Sequence, residues 1–132
     1  MAGIIPAIRV DDMAKALDFY TSTLGFNLRR GGPEEEHCGL DRGDSGLMLE
    51  KPASFYSPGY NEAIRGRLRT PGAIALYIEA PDVDTLYEQV LAAGGNVADP
   101  LADRQWGQRE FTLEDPWGNW LTFWKALQPH PQ

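Results

Sequence analysis

The stretch IIPAIRVDDMAKALDFYTSTLG, residues 4–25, decides the fold. Ile4, Pro6, Ile8 and Val10 alternate with Ile5, Ala7 and Arg9, which is the period-two pattern of a strand buried on one side. The alternation then stops, and apolar residues recur at Met13, Ala16, Leu17, Tyr20 and Leu24, the spacing of an amphipathic helix. Asp11 or Asp12 is placed to cap its start, and Gly25 to close its end. Working outward, short strands are expected at about Phe26 to Arg30, His37 to Asp41 and Leu47 to Glu50. The last two are separated by Arg42-Gly43-Asp44-Ser45-Gly46, which is turn chemistry, so the first module reads βαβββ.

The same pattern returns later in the chain. Ile74, Leu76 and Ile78 alternate with Ala73, Ala75 and Tyr77. A helix carrying Val83, Leu86, Tyr87, Val90 and Leu91 follows, with Asp82 as its expected cap and Gly94-Gly95 as its stop. Strands are expected near Asn96 to Ala98, Arg109 to Glu114 and Trp120 to Trp124, with Asp115-Pro116-Trp117-Gly118-Asn119 as the turn before the last. The expectation is an α+β protein of two tandem βαβββ modules, at about 1–50 and 73–126, joined by a linker at 51–72 within a single domain of 132 residues.

The linker reads as a long loop, broken by Pro52, Pro58, Gly59, Gly66 and Pro71 and carrying Phe55, Tyr56 and Tyr60. Its aromatics serve either a ligand or the edge of a core. The tail beyond Ala126 carries no pattern.

Twelve basic against nineteen acidic residues give a formal charge of −7, which repels a phosphate backbone, so nucleic acid is not an expected partner. Glu34, Glu35, Glu36, Asp41 and Asp44 concentrate negative charge in a way that suits a cationic ligand or simply a soluble surface. Cys38 is the only cysteine, so no intrachain disulfide forms. The N-terminal residues show neither a signal sequence nor a membrane span, and a cytoplasmic location is expected.

The run Val10-Asp11-Asp12, Ala16-Leu17-Asp18-Phe19-Tyr20 and Leu24-Gly25-Phe26, with Asp115-Pro116-Trp117-Gly118-Asn119 near the close, resembles the vicinal oxygen chelate superfamily (glyoxalases, bleomycin resistance proteins and dioxygenases) over nearly the whole chain. The resemblance implies half-barrel sheets with helices outside, and a homodimer. It also implies where the metal ligands of the enzymes would fall: Ile5, Ala73, Thr122 and Glu50. One carboxylate and one hydroxyl do not make a site that takes about three nitrogen or carboxylate ligands, so no metal and no cofactor are expected. The histidines, His37 and His130, occupy other places.

Within the superfamily, Trp106-Gly107-Gln108-Arg109-Glu110-Phe111 resembles the bleomycin resistance proteins, which implies that Trp106 stacks on a flat heteroaromatic ligand. The second ring of that family would fall near His37, where phenylalanine is more usual; His37, Phe55, Tyr56 or Tyr60 are the alternatives here. Trp106 is otherwise a strand-edge plug, and Arg109 with Glu110 otherwise a mixed-charge surface pair. Trp120 and Trp124, sharing a face with Thr122, form either a pocket floor or filled core. The expected ligand site is therefore Trp106, His37, Glu50, Phe55, Tyr60, Arg109, Trp120, Thr122 and Trp124, in a metal-independent protein that sequesters a cationic planar-ring antibiotic such as bleomycin without catalysis. The alternative is a glyoxalase- or dioxygenase-like enzyme with an atypical metal site, or with Glu50 and His37 as an acid/base pair.

Overall fold

A computed structural model describes residues 3–70 and 74–128, which gather into two compact units divided between Thr70 and Pro71. Ala73 and His130 lie outside the described residues.

The first unit opens with β1 (Ala7–Arg9) and α1 (Met13–Leu17), which widens into a π-helical stretch at Asp18–Thr23. Asp12 caps α1, its Oδ1 accepting from Lys15 N at 3.1 Å, as the sequence suggested. The Leu24 N–H reaches back to Phe19 O at 3.1 Å, the wide spacing of a π turn, and Gly25 closes the helix at φ +78°. Met13, Ala16, Leu17, Tyr20 and Leu24 are all buried, so the helical reading of residues 13–24 identifies the face that packs. β2 (Asn27–Arg30), β3 (His37–Arg42) and β4 (Ser45–Glu50) follow. The sheet order is β1-β4-β3-β2, with β1 parallel to β4 and the other pairs antiparallel.

Within the expected linker, residues 51–70 are not one irregular loop. Ser57 accepts at Oγ from Tyr60 N (3.2 Å), Pro58 fills the first turn, and α2 (Pro58–Arg67) follows. Gly59 and Gly66, read from sequence as breakers, sit inside this helix. Tertiary anchoring outweighs their low propensity: Ile64 is buried, and Asn61 clamps Ala53 by accepting from its N–H (3.0 Å) and donating to its carbonyl (2.8 Å).

The second unit repeats the order with β5 (Ala75–Glu79), α3 (Val83–Ala92), β6 (Asn96–Asp103), β7 (Gln108–Glu114) and β8 (Trp120–Ala126). Its sheet runs β5-β8-β7-β6, again with one parallel pair, β5 with β8. Asp82 occupies the cap position of α3 but makes no side-chain cap hydrogen bond. β6 extends past the expected Ala98 to Asp103 because register shifts after Val97 and Asp99 let the strand pass Pro100 without breaking. One face of the sheet buries Ile78, Phe111, Leu113, Leu121 and Phe123, with Phe111 and Phe123 stacked at 5.8 Å and Tyr87 of α3 edge-on to Phe111 at 4.9 Å. Each such ring contributes roughly 1.5–3 kcal/mol by leaving water.

The alternation that buries these residues turns Tyr77, Glu110, Thr112, Glu114, Trp120, Thr122 and Trp124 to the opposite face. In the first unit it turns Arg9, His37, Met48 and Glu50 away from buried Ile8, Cys38, Leu47 and Leu49. Among the described residues no helix is long and apolar enough to cross a membrane.

Candidate functional site

The sequence-predicted residues divide by unit. His37, Glu50, Phe55 and Tyr60 belong to the first; Trp106, Arg109, Trp120, Thr122 and Trp124 belong to the second.

In the first unit Glu50 closes β4 with only 3% of its surface exposed. Its Oε2 accepts from Arg9 Nε at 2.6 Å and from the Tyr60 hydroxyl at 2.7 Å, and its Oε1 accepts from the Tyr56 hydroxyl at 2.7 Å. Arg9 also donates from Nη2 to Tyr60 Oη (2.9 Å) and lies 5.4 Å from the centre of that ring. The two tyrosine rings are 4.4 Å apart. Tyr60 stands in the first turn of α2, so this buried carboxylate ties the helix to the sheet. Burial alone would push the Glu50 carboxyl up, but the hydrogen bonds from Arg9, Tyr60 and Tyr56 hold it below the usual carboxylate value.

Tyr56 is displaced the other way. Burial, and then its hydrogen bond to the Glu50 carboxylate, push its hydroxyl up to about 12. A group raised in the folded state stabilises fully below its unfolded value, here 10.0, and loses that contribution as pH rises through the folded one. Between pH 10 and about 12, urea midpoints are therefore expected to fall more steeply for the parent than for Tyr56→Phe. Parallel curves would show that Tyr56 is not coupled to Glu50.

His37 faces Glu50 across the β3–β4 ladder, yet its Nδ1 lies 3.1 Å from Arg30 Nη1 while Glu50 is turned to Arg9 and the tyrosines. As an acid/base pair the two are already engaged elsewhere. Phe55 leaves its ring 64% exposed and edge-on to Tyr56 at 4.8 Å.

In the second unit Trp106 sits in the β6–β7 turn, made by Arg104 N–H to Gln108 O (2.7 Å) and Gly107 N–H to Arg104 O (3.0 Å), with Gly107 at φ +88°. The indole is 59% exposed, so it plugs nothing, but its Nε1–H donates to Glu110 Oε1 at 3.0 Å. Glu110 is only 4% exposed and lies across the ladder from Trp124. Trp120 is 41% exposed and donates from Nε1 to Glu114 Oε1 at 2.8 Å. Between them Thr112 and Thr122 share a buried hydrogen bond of 2.7 Å. The face thus presents two indoles, each oriented by its own carboxylate, over a buried threonine pair.

Arg109 is on the other face. Odd positions of β7 point with Phe111 towards α3, and Arg109 bonds Asp84 Oδ1 (2.8 Å) and Asp103 Oδ1 (2.9 Å) there, so the geometry does not bring it to the indoles. The mixed-charge surface reading describes Arg109 but not Glu110, which is buried under Trp106. Glu110 is the site residue that sequence reasoning undervalued; its i,i+4 spacing from Trp106, just past Gly107, was the available signal.

The donor set does not fit the metal of the superfamily's enzymes. Ile5 offers no donor, the Thr122 hydroxyl is engaged by Thr112, and both oxygens of Glu50 are held by Arg9 and the tyrosines. Among the described residues no group of three His, Cys, Asp or Glu is placed to hold a metal ion.

Two βαβββ units, each a four-stranded mixed sheet closed by a parallel pair, define the class of a tandem-module α+β protein with its polar and aromatic side chains on the sheet faces away from α1 and α3. The profile of the Glyoxalase/Bleomycin resistance protein/Dioxygenase superfamily matches residues 5–123, and the chain belongs to that superfamily. An uncharacterized protein of Mycobacterium bovis is 30% identical over 128 residues, spanning 94% of this chain and 81% of the relative. A bleomycin resistance protein of Geobacillus stearothermophilus is 27% identical over 135 residues, spanning 94% and 96%. Among solved structures, the bleomycin-binding protein from bleomycin-producing Streptomyces verticillus, complexed with copper(II)-bleomycin, superposes with a TM-score of 0.62 at 25% identity over 98% of each chain. TioX from Micromonospora sp. ML1 superposes at 0.72 with 23% identity over 96% of this chain and 100% of its own, a likeness of fold.

Proposed function

We propose that the chain is a stoichiometric binder that sequesters a cationic planar-ring antibiotic such as bleomycin, protecting by lowering free ligand rather than by transforming it. The carrying observation is the state of Trp106: an exposed indole held in one orientation by a buried carboxylate. A flat ring fixed before binding loses little freedom on stacking, and Glu110 and Glu114 lend the face a negative potential that suits a cation. Trp120, Trp124 and Thr122 supply the adjoining surface, and Phe55 is the open ring of the first unit. In this reading Glu50 and Tyr60 hold α2, and Arg109 fixes the start of α3, so neither group meets the ligand directly. The bleomycin resistance relative and the bleomycin-binding neighbour support the ligand class. The same reading takes the protein to be cytoplasmic, free of cofactor and homodimeric; exposed Ile74 and Tyr77, beside and on the edge strand β5, support self-association.

The test is a calorimetric titration of metal-stripped protein with metal-free bleomycin, repeated with Trp106→Ala. The expected result is saturation near one drug per chain, weakened by at least about tenfold, or roughly 1.4 kcal/mol, in the variant. No heat at protein concentrations on the order of tens of micromolar, or equal affinity in the variant, would overturn the proposal.

A further inference from the structure

The first unit contains a cavity of about 480 Å³ whose chemistry is opposite to that of the indole face. Arg29 and Arg30 line it together with Ile5, Gly39, Gly46 and Met48. Neighbouring residues of a regular strand point to opposite faces, so two consecutive arginines lining one cavity need a local cause. The β2–β3 ladder supplies it: Leu28 pairs with Leu40 and Arg30 with Gly39, which leaves Arg29 as an extra residue in a bulge that re-aims its side chain. Gly39 keeps the floor low beneath Arg30; a Cβ there would stand 3.4 Å from Arg30 Nη2 and 3.7 Å from Arg30 Cβ.

Neither guanidinium is neutralised tightly. The Arg29 side chain is half exposed and its Nε is 3.5 Å from Asp41 Oδ2. Arg30 meets the His37 ring nitrogen at 3.1 Å and, among the described residues, no carboxylate. In a chain of net charge −7, two under-neutralised guanidiniums beside the apolar Ile5 and Met48 form a small oxyanion site with a hydrophobic wall. The volume suits a small organic molecule.

We infer that this cavity binds small organic oxyanions, a carboxylate or phosphate head carried on a short apolar or aromatic body, with Arg29 and Arg30 holding the head and Ile5 and Met48 the body. The cavity takes ligands of charge opposite to those proposed for the indole face.

The experiment follows backbone amide shifts of the full chain by NMR during titration with benzoate, phenyl phosphate and the neutral isostere benzamide. The expected result is saturable shifts centred on residues 28–31, 38–40 and 46–48 with either anion, at least tenfold weaker binding of benzamide, and weakening as salt rises. The tighter of the two anions identifies the preferred head group. Arg29→Gln combined with Arg30→Gln, both exposed and so compatible with folding, is expected to reduce anion affinity at least tenfold while the remaining spectrum is unchanged. Shifts confined to other residues, equal binding of benzamide, or undiminished binding by the double variant would overturn the assignment.

Discussion

Glu50→Ala is expected to destabilise the protein by about 3 kcal/mol, read as a lowered urea midpoint, with Glu50→Gln costing roughly half as much. The alanine removes three hydrogen bonds at once and leaves Arg9 and two tyrosine hydroxyls facing an empty place. Charged hydrogen bonds broken on one side cost more than neutral ones because the remaining group keeps its desolvation penalty. The figure stays at the low end of the range for buried ion pairs because the Arg9 side chain is 37% exposed and can turn to water. Glutamine keeps an acceptor oxygen for a tyrosine and loses the charge. The pH sign agrees: a carboxyl held low by its partners stabilises above its ordinary value of 4.5, and that contribution disappears as pH falls through its folded value. A loss below about 1 kcal/mol for the alanine, an ordinary surface effect, would show that Glu50 does not hold α2 to the sheet.

This behaviour was half visible in the sequence. Alternation along β4 put Glu50 opposite Leu47 and Leu49, so a carboxylate facing away from the helix was legible, but its partners were not. Tyr60 reaches it only because residues 58–67 form a helix, and Gly59 and Gly66 concealed that helix from any reading by local propensity. The two βαβββ modules were legible because long apolar periodicities set by core burial survive local exceptions. Strand ends were not: β6 runs on to Asp103 through two register shifts, the second carrying the ladder past Pro100, which local propensity reads as a strand end. In the site, Trp120, Thr122 and Trp124 fell on one face as alternation required. The same rule, applied to β7, puts Arg109 with Phe111 and Glu110 with Thr112. Family resemblance put Arg109 into the site beside Trp106, where strand geometry brings Glu110 instead.

Asp115→Ala is expected to cost about 3 kcal/mol and to lower the thermal midpoint by roughly 10 °C. Asp115-Pro116-Trp117-Gly118-Asn119 was read as turn chemistry; what the structure adds is that the aspartate is buried at 3% exposure and organises the turn from inside. Its Oδ1 accepts from Trp117 N (2.9 Å) and Asn119 N (2.8 Å), and the Asn119 amide reaches Oδ1 at 3.1 Å and Oδ2 at 2.9 Å. Backbone bonds complete the loop, Asp115 N to Asn119 O at 2.8 Å and Gly118 N to Asp115 O at 3.1 Å, with Gly118 at φ +90° where a side chain would be strained. Alanine leaves two backbone donors beneath buried Trp117 without an acceptor, each worth about 1–3 kcal/mol. Asp115→Asn keeps one oxygen and is expected to recover about half of the loss. Because the turn sets where β8 begins, it also sets the register that turns Trp120, Thr122 and Trp124 to one face, so faster amide exchange in β8 than in β4 should accompany the loss of stability. Unchanged exchange in β8 would leave Asp115 a local brace with no hold on the indole face.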